Sequence, residues 1–265
     1  MAIDYTIDYP CEPKRQLSTE GIRERLKGRE RAELIIAQYR DAGDQRPPSE
    51  MGFEFTRRTS EGEGETELII VQDLLDQAAQ LDGLAHHCRG CPANRTGQPF
   101  GCMGYVSYPI SAAGEAFLVD RLPVPDEALV WLLLKRGVDD FQYDGQQIAL
   151  LRMQDSIYFE AQRPPERRLG EFTIDGNQVF EMIFTVGDII PNHAGVLLLF
   201  FGAISRELEA HEIMQISPAP PDAVQRYPFQ LRMEPWDDPT IQDLKAFLHA
   251  LYIAWALNVK LLVDA

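Results

Sequence analysis

Gly52-Phe53-Glu54-Phe55-Thr56 and Leu68-Ile69-Ile70-Val71 decide the fold class of this chain. The first stretch alternates apolar and polar residues, the period of a half-buried strand. The second is a short apolar run rich in β-branched residues, suited to a strand that pairs with the first. Between them lies Glu61-Gly62-Glu63-Gly64-Glu65, an acidic glycine tract that reads as a flexible turn. The pair therefore predicts one β-hairpin near 52–71. Everything around it carries helical signals, so the expected class is α+β, predominantly helical, with roughly seven or eight helices.

Working outward, Ser18 opens a helix that runs to about Arg40, with Ile22, Leu26, Ala32, Ile36 and Tyr39 as its apolar stripe. Gly43 and Pro47-Pro48 end it. Asp73 reads as the N-cap of a helix carrying Leu74, Leu75, Ala78 and Leu81, which ends near His86 and His87. Ser111 caps a short helix holding Phe117 and Leu118. Pro125-Asp126 starts another, with Leu129, Leu132 and Leu133 inward and Gly137 as its stop. Gln146 to Phe159 fits helix and strand equally. Asp175-Gly176 fits a hairpin turn, but Asp175 is read in preference as a helix cap, with Gly187 as the stop. Ile190 to about Glu209 reads as a helix buried on most sides along its first half. The last helix starts near Asp238-Pro239 and packs Ile241, Leu244, Leu248, Leu251 and Trp255. No repeat of fixed period is present. One domain spanning 1–265 is expected, with a boundary near 109–123 as the alternative.

The chain carries 25 basic and 41 acidic residues, a formal charge of −16. Phosphate backbones are bound by clustered Lys and Arg, so nucleic acid is an unfavoured partner, and an anionic membrane surface equally so. The one local basic excess is Arg23, Lys27 and Arg31, with Arg25 and Arg29 on the next face; Glu20 and Glu24 ease it at helical spacing. Met1 to Cys11 has neither the basic start nor the apolar core of a secretory signal. The longest apolar run, Ala194 to Ile204, is too short to span a bilayer. A cytoplasmic location is expected, where thiols stay reduced.

Three of the four cysteines fall close together, in His86-His87-Cys88-Arg89-Gly90-Cys91-Pro92 and Phe100-Gly101-Cys102-Met103-Gly104; the fourth is Cys11. Four thiolates match the ligand count of a tetrahedral zinc ion, and Gly90 permits the tight loop that lets Cys88 and Cys91 reach one ion. The expected metal ligands are Cys11, Cys88, Cys91 and Cys102, around a structural zinc in a cysteine-rich loop at 88–102. An iron–sulfur cluster is the competing group, and His86 or His87 could replace Cys11. Unpaired thiols and disulfides are the other readings of the same residues.

Other motifs fail. His211-Glu212-Ile213-Met214-Gln215 lacks the second histidine of a zincin helix, and no P-loop, dinucleotide loop or nucleophile elbow occurs. The expectation is a soluble, non-enzymatic interaction or regulatory module with a zinc staple and an unidentified protein partner. The alternative is an enzyme or redox protein using the Cys88–Cys102 loop as a catalytic zinc or iron–sulfur site, with Glu115 the nearest acid or base.

Overall fold

A computed structural model describes residues 2–58, 64–154, 156–216 and 218–264. In chain order the elements are β1 (Ala2–Ile7), α1 (Glu12–Leu17), α2 (Thr19–Asp41), β2 (Gly52–Arg58), β3 (Gly64–Ile70), α3 (Val71–Ala78), β4 (Met103–Ser107), α4 (Ala112–Asp120), α5 (Ala128–Phe141) and α6 (Gln146–Arg152). They continue with β5 (Glu166–Leu169), β6 (Phe172–Asp175), α7 (Gly176–Phe184), β7 (Asp188–Ile189), α8 (Pro191–Phe200), α9 (Ala210–Gln215), α10 (Ala223–Arg226), α11 (Pro239–Ala256) and β8 (Leu261–Asp264). The class is α+β, with helices dominating several small antiparallel sheets. Two compact units divide the chain: Met1–Tyr9, Pro92–Thr96 and Gly101–Ala265 in the larger, Pro10–Cys91 and Gly97–Phe100 in the smaller.

The smaller unit is built on α2. Ser18 caps it as expected, its Oγ accepting the Gly21 N–H at 3.0 Å. Strands β2 and β3 pair antiparallel, Gly52 opposite Ile70 and Arg58 opposite Gly64. Residues 59–63, which hold most of the expected acidic turn, lie outside the described residues. Ala32 of α2, Met51 and Val71 form a fully buried cluster, with Ile35, Ile36, Tyr39, Phe53, Leu74 and Leu75 packed around it. The Tyr39 hydroxyl donates to the Gly52 carbonyl at 3.0 Å, tying helix to strand. Asp73 is not a cap: α3 starts at Val71, directly off β3.

In the larger unit the sequence reading misses the main sheet, whose order is β4-β1-β8-β7, antiparallel throughout. Residues 3–7 of its inner strand β1 are all buried. Tyr5 lies against Gly104 on the neighbouring strand, where any side chain would collide with its hydroxyl. Burial pushes the Tyr5 phenol up to about 12.

Helix α11 packs on this sheet and on α8. Asp238 caps it, with Oδ1 2.7 Å from the Ile241 N–H and Pro239 in the first turn. Asp237 holds the buried Lys245 at 2.8 and 2.6 Å, so the acidic pair beside Trp236 is a helix start. Leu244, Leu248, Leu251 and Trp255 are fully buried, as the stripe requires, while Ile241 is half-buried.

Two expected helices are corrected, and one ambiguous stretch is settled. The buried residues of α5 are Val130 and Leu134; Leu129 and Leu132 face solvent, and Gly137 lies within the helix, which ends at left-handed Gln142. Gln146–Phe159 resolves into the short helix α6 and a turn. Helix α8 ends at Phe200, far short of Glu209. Gly202 has φ +58, with its N–H on the Leu199 carbonyl at 3.1 Å and the Ala203 N–H on Leu198 at 2.8 Å. That is a Schellman stop, which glycine adopts without steric cost.

Candidate functional site

The metal expectation does not survive the fold. Among the described residues no group of three or more His, Cys, Asp or Glu side chains is placed to hold a metal ion. Cys11, Cys88, Cys91 and Cys102 form no disulfide, and each is half-buried. Cys11 precedes α1 as its N-cap residue, and its side chain caps nothing. Cys88 and Cys91 flank a turn, with the Cys91 N–H 3.4 Å from the Cys88 carbonyl and Gly90 at φ +70. The Cys88 sulfur accepts the Phe100 N–H at 3.2 Å. Cys102 belongs to the larger unit, where its carbonyl accepts the Ile7 N–H at 3.0 Å.

Burial raises the Cys88 pKa, and Cys91 and Cys11 push it the same way against the Phe100 N–H. Ligand count is readable from sequence, but tetrahedral placement is a property of the fold. The zinc staple, the catalytic zinc and the iron–sulfur alternative fall together. His86 and His87 stack on each other, centroids 3.9 Å apart, in a short 3-10 segment.

Glu115, the nearest acid or base in that alternative, is also structural. It is fully buried on α4 and grips Arg152 of α6 through two parallel contacts, 2.9 and 2.5 Å. Arg152 also reaches Asn177 Oδ1 at 2.9 Å and the Ala161 carbonyl at 2.6 Å, and its guanidinium lies 4.1 Å from the Phe159 ring. Three elements, α4, α6 and α7, are locked by one buried ion pair.

A largely apolar recess of the larger unit lies elsewhere. A cavity of about 620 Å³ opens between α5, α7, β7 and α8. Leu133, Phe141, Met182, Val186, Val196 and Phe200 line its apolar side. Gly137 lines it too; a Cβ there would meet Phe200 only at 4.0 Å, so the missing side chain leaves room in the cavity. The charged residues on its wall are internally paired: Arg136 with Asp140 at 3.4 Å, Asp188 with Lys260 at 3.0 Å.

One end is polar. The first turn of α8 contributes Ile190, Asn192 and His193. Pro191 occupies the first helical position, and no side chain caps the turn, so its amides retain donor capacity. Burial lowers the His193 pKa, which keeps the ring neutral near pH 7, able both to donate and to accept. The arrangement can hold an apolar body and hydrogen-bond one polar end.

Sequence reasoning missed this site, although part of the signal was visible. Ile190 to about Glu209 reads as a helix buried on most sides along its first half; the helix is buried at Ala194, Gly195 and Leu197 to Phe200, but it ends at Phe200. The proline at its start without a Ser, Thr, Asp or Asn before it marks an uncapped N-terminus. Gly137 reads as a helix stop in the sequence, whereas inside α5 it supplies missing volume on the cavity wall. No family, no curated protein and no solved structure matches this chain.

Proposed function

We propose that the protein binds a small, mainly apolar molecule in the cavity between α5, α7 and α8, with a hydrogen-bond-accepting end at the first turn of α8. The observation that carries this reading is the pairing of an apolar wall with a single polar end in about 620 Å³. That volume is within the few hundred to about 1,000 Å³ typical of small-molecule sites. Paired charges on the wall argue against a multiply charged ligand. The occupant is a small molecule rather than a peptide helix, because the recess is short and bounded by helices on several sides.

An environment-sensitive dye with an apolar ring system and one sulfonate, anilinonaphthalene sulfonate, tests the reading. The folded protein should bind it saturably with enhanced fluorescence. Gly137→Phe and Val196→Phe should each abolish binding by filling the space while leaving the circular dichroism spectrum unchanged. Dye binding that ignores both substitutions would overturn the proposal.

The partner class follows from charge. With −16 overall, the basic face of α2 is the one feature that could favour nucleic acid. Much of it is engaged within the smaller unit. Arg23 pairs with Glu20, Arg25 bonds Gln80, and Arg29 bonds the Ala78 carbonyl and Asp82, each at 2.8 Å. Arg31 lies over Phe55, 5.2 Å from its centroid. These contacts support a protein without nucleic-acid affinity. No helix among the described residues is long and apolar enough to cross a membrane.

A further inference from the structure

We propose that Cys88 and Cys91 are a reversible dithiol–disulfide pair that exchanges electrons with a small-molecule disulfide. Both lie in the smaller unit, so the pair is independent of the apolar cavity in the larger one and does not rest on the reading given for it.

The backbone between the two cysteines is already bent for a bridge. Arg89 has φ −69 and ψ 124, Gly90 has φ +70, and the Cys91 N–H lies 3.4 Å from the Cys88 carbonyl. These are the central angles of a type II turn, about −60° and 120° and then about +80°. Glycine takes the second position without steric cost. A Cβ on Gly90 would meet nothing within 4 Å, so backbone conformation rather than crowding calls for glycine there. Such a turn keeps its first and fourth Cα atoms less than about 7 Å apart. A disulfide usually spans about 4.4–6.8 Å between Cα atoms, so the turn brings both cysteines into bridging range before any bond forms. Cys91 also acts on the ionisation of Cys88, which puts the two sulfurs within range of each other's field.

Both residues are half-buried and neither is in a disulfide, so a dissolved reagent can reach them. Burial raises the Cys88 pKa. No thiolate there stabilises the reduced pair, which therefore releases electrons more readily than a Cys-x2-Cys pair of low pKa. The Cys88 sulfur has a second task. It accepts the Phe100 N–H at 3.2 Å, and Phe100 is buried at φ +60, a conformation uncommon outside glycine. Oxidation changes this acceptor from a thiol to a disulfide sulfur, which couples the redox state of the pair to the Phe100 backbone.

The exchange balances with one small disulfide consumed. A thiolate of the pair attacks one sulfur of that disulfide, forming a mixed disulfide and expelling one small thiolate. The other cysteine, its proton lost to water, attacks the protein sulfur of the mixed disulfide. The Cys88–Cys91 bond forms and the second small thiolate leaves. The pair loses two electrons and two protons; the small disulfide gains both electrons, and its thiolates take up the protons.

Equilibration of the full-length protein with glutathione and glutathione disulfide tests this, read by acid quenching, alkylation and peptide mapping. The oxidised protein should lose two of its four thiols, and mapping should place the bond between Cys88 and Cys91. Excess reduced glutathione should restore all four, with an unchanged circular dichroism spectrum. The Phe100 amide signal in nuclear magnetic resonance should shift between the two forms. A Cys11→Ser, Cys102→Ser double variant should form the same bond in one two-electron step. In that variant the equilibrium constant for bond formation should be at least about tenfold larger in the folded protein than in urea, because the turn preorganises the thiols. Survival of all four thiols in glutathione disulfide would overturn the proposal, as would a bond mapped to Cys11 or Cys102, or equal constants in the folded and unfolded chains. If the double variant does not fold, mapping in the parent protein decides alone.

Discussion

Two side chains carry the clearest single-residue consequences. Arg152 neutralises Glu115 where neither side chain meets water, 4% and 0% exposed. Removing one partner of such a pair leaves a buried charge, so Arg152→Met should cost about 3–5 kcal/mol in urea unfolding. Glu115→Met combined with it should recover part of that loss, because no buried charge is then left unpaired, although Asn177 Oδ1 and the Ala161 carbonyl still lose their donor. A double variant no more stable than Arg152→Met would contradict this account. His193 gives a pH signature. Burial depresses its folded pKa. Above about pH 6.5 the ring is neutral in folded and unfolded chains alike, and its contribution is fully present. As the pH falls below that value, the unfolded chain takes up the proton first, and stability is lost until the folded pKa is passed. His249, also lowered by burial, acts in the same direction. The melting temperature should therefore drop between pH 7 and pH 5, and His193→Gln should flatten that slope. Equal slopes in the two proteins would show that His193 titrates alike in both states.

At the scale of elements, capping chemistry was legible and sheet pairing was not. Ser18, Ser111, Asp175 and Asp238 each accept the N–H three residues on, where the sequence places them. Asp175 does most: Gln178 returns the bond at 3.1 Å, a reciprocal box that starts a helix with eight buried residues. Asp175→Ala should cost about 1 kcal/mol, read as a shifted urea midpoint with unchanged slope. The same box ends β6, so the cap reading of Asp175-Gly176 holds and the hairpin-turn reading does not: Phe180 to Ile183 lie in α7, and β6 pairs with β5 across Gly170, φ +68. Strand β1 escaped notice although Ile3, Tyr5 and Ile7 alternate with Asp4 and Thr6. Its partners are β4 and β8, one of them at the far end of the chain, and no local pattern reports such a pairing. Close helix approach is equally invisible. Gly114 faces Thr240, and a Cβ there would collide with the threonine methyl. Gly114→Ala should destabilise by about 1–3 kcal/mol through overpacking, although alanine is the better helix former. Thermal unfolding showing a stabilised Gly114→Ala would refute that contact.

The whole molecule separates what composition can settle from what only geometry can. The count of four cysteines suggests a metal; in the fold none is in a disulfide, and among the described residues they form no ligand set. A reagent such as dithionitrobenzoate should therefore titrate four thiols in the unfolded protein, and slower, staged reaction in the folded one, since each sulfur-bearing residue is half-buried. The apolar cavity instead arises from residues far apart in sequence, and its chemistry was unreadable until α5, α7 and α8 were in place. Charge is the property that composition does carry through to behaviour. The formal −16 sets a repulsive field for any polyanion, and the basic face of α2 is partly spent on Glu20, Gln80 and Asp82. Double-stranded DNA or RNA should accordingly show no binding at about 150 mM salt, where the phosphate contribution is already weakened. At low salt any residual association should be weak. It should also survive Arg23→Ala, Lys27→Ala and Arg31→Ala in combination, because no focused patch supports it. Sub-micromolar binding that collapses with added salt, and disappears in that triple variant, would show that local charge on one helix outweighs the field of the whole chain.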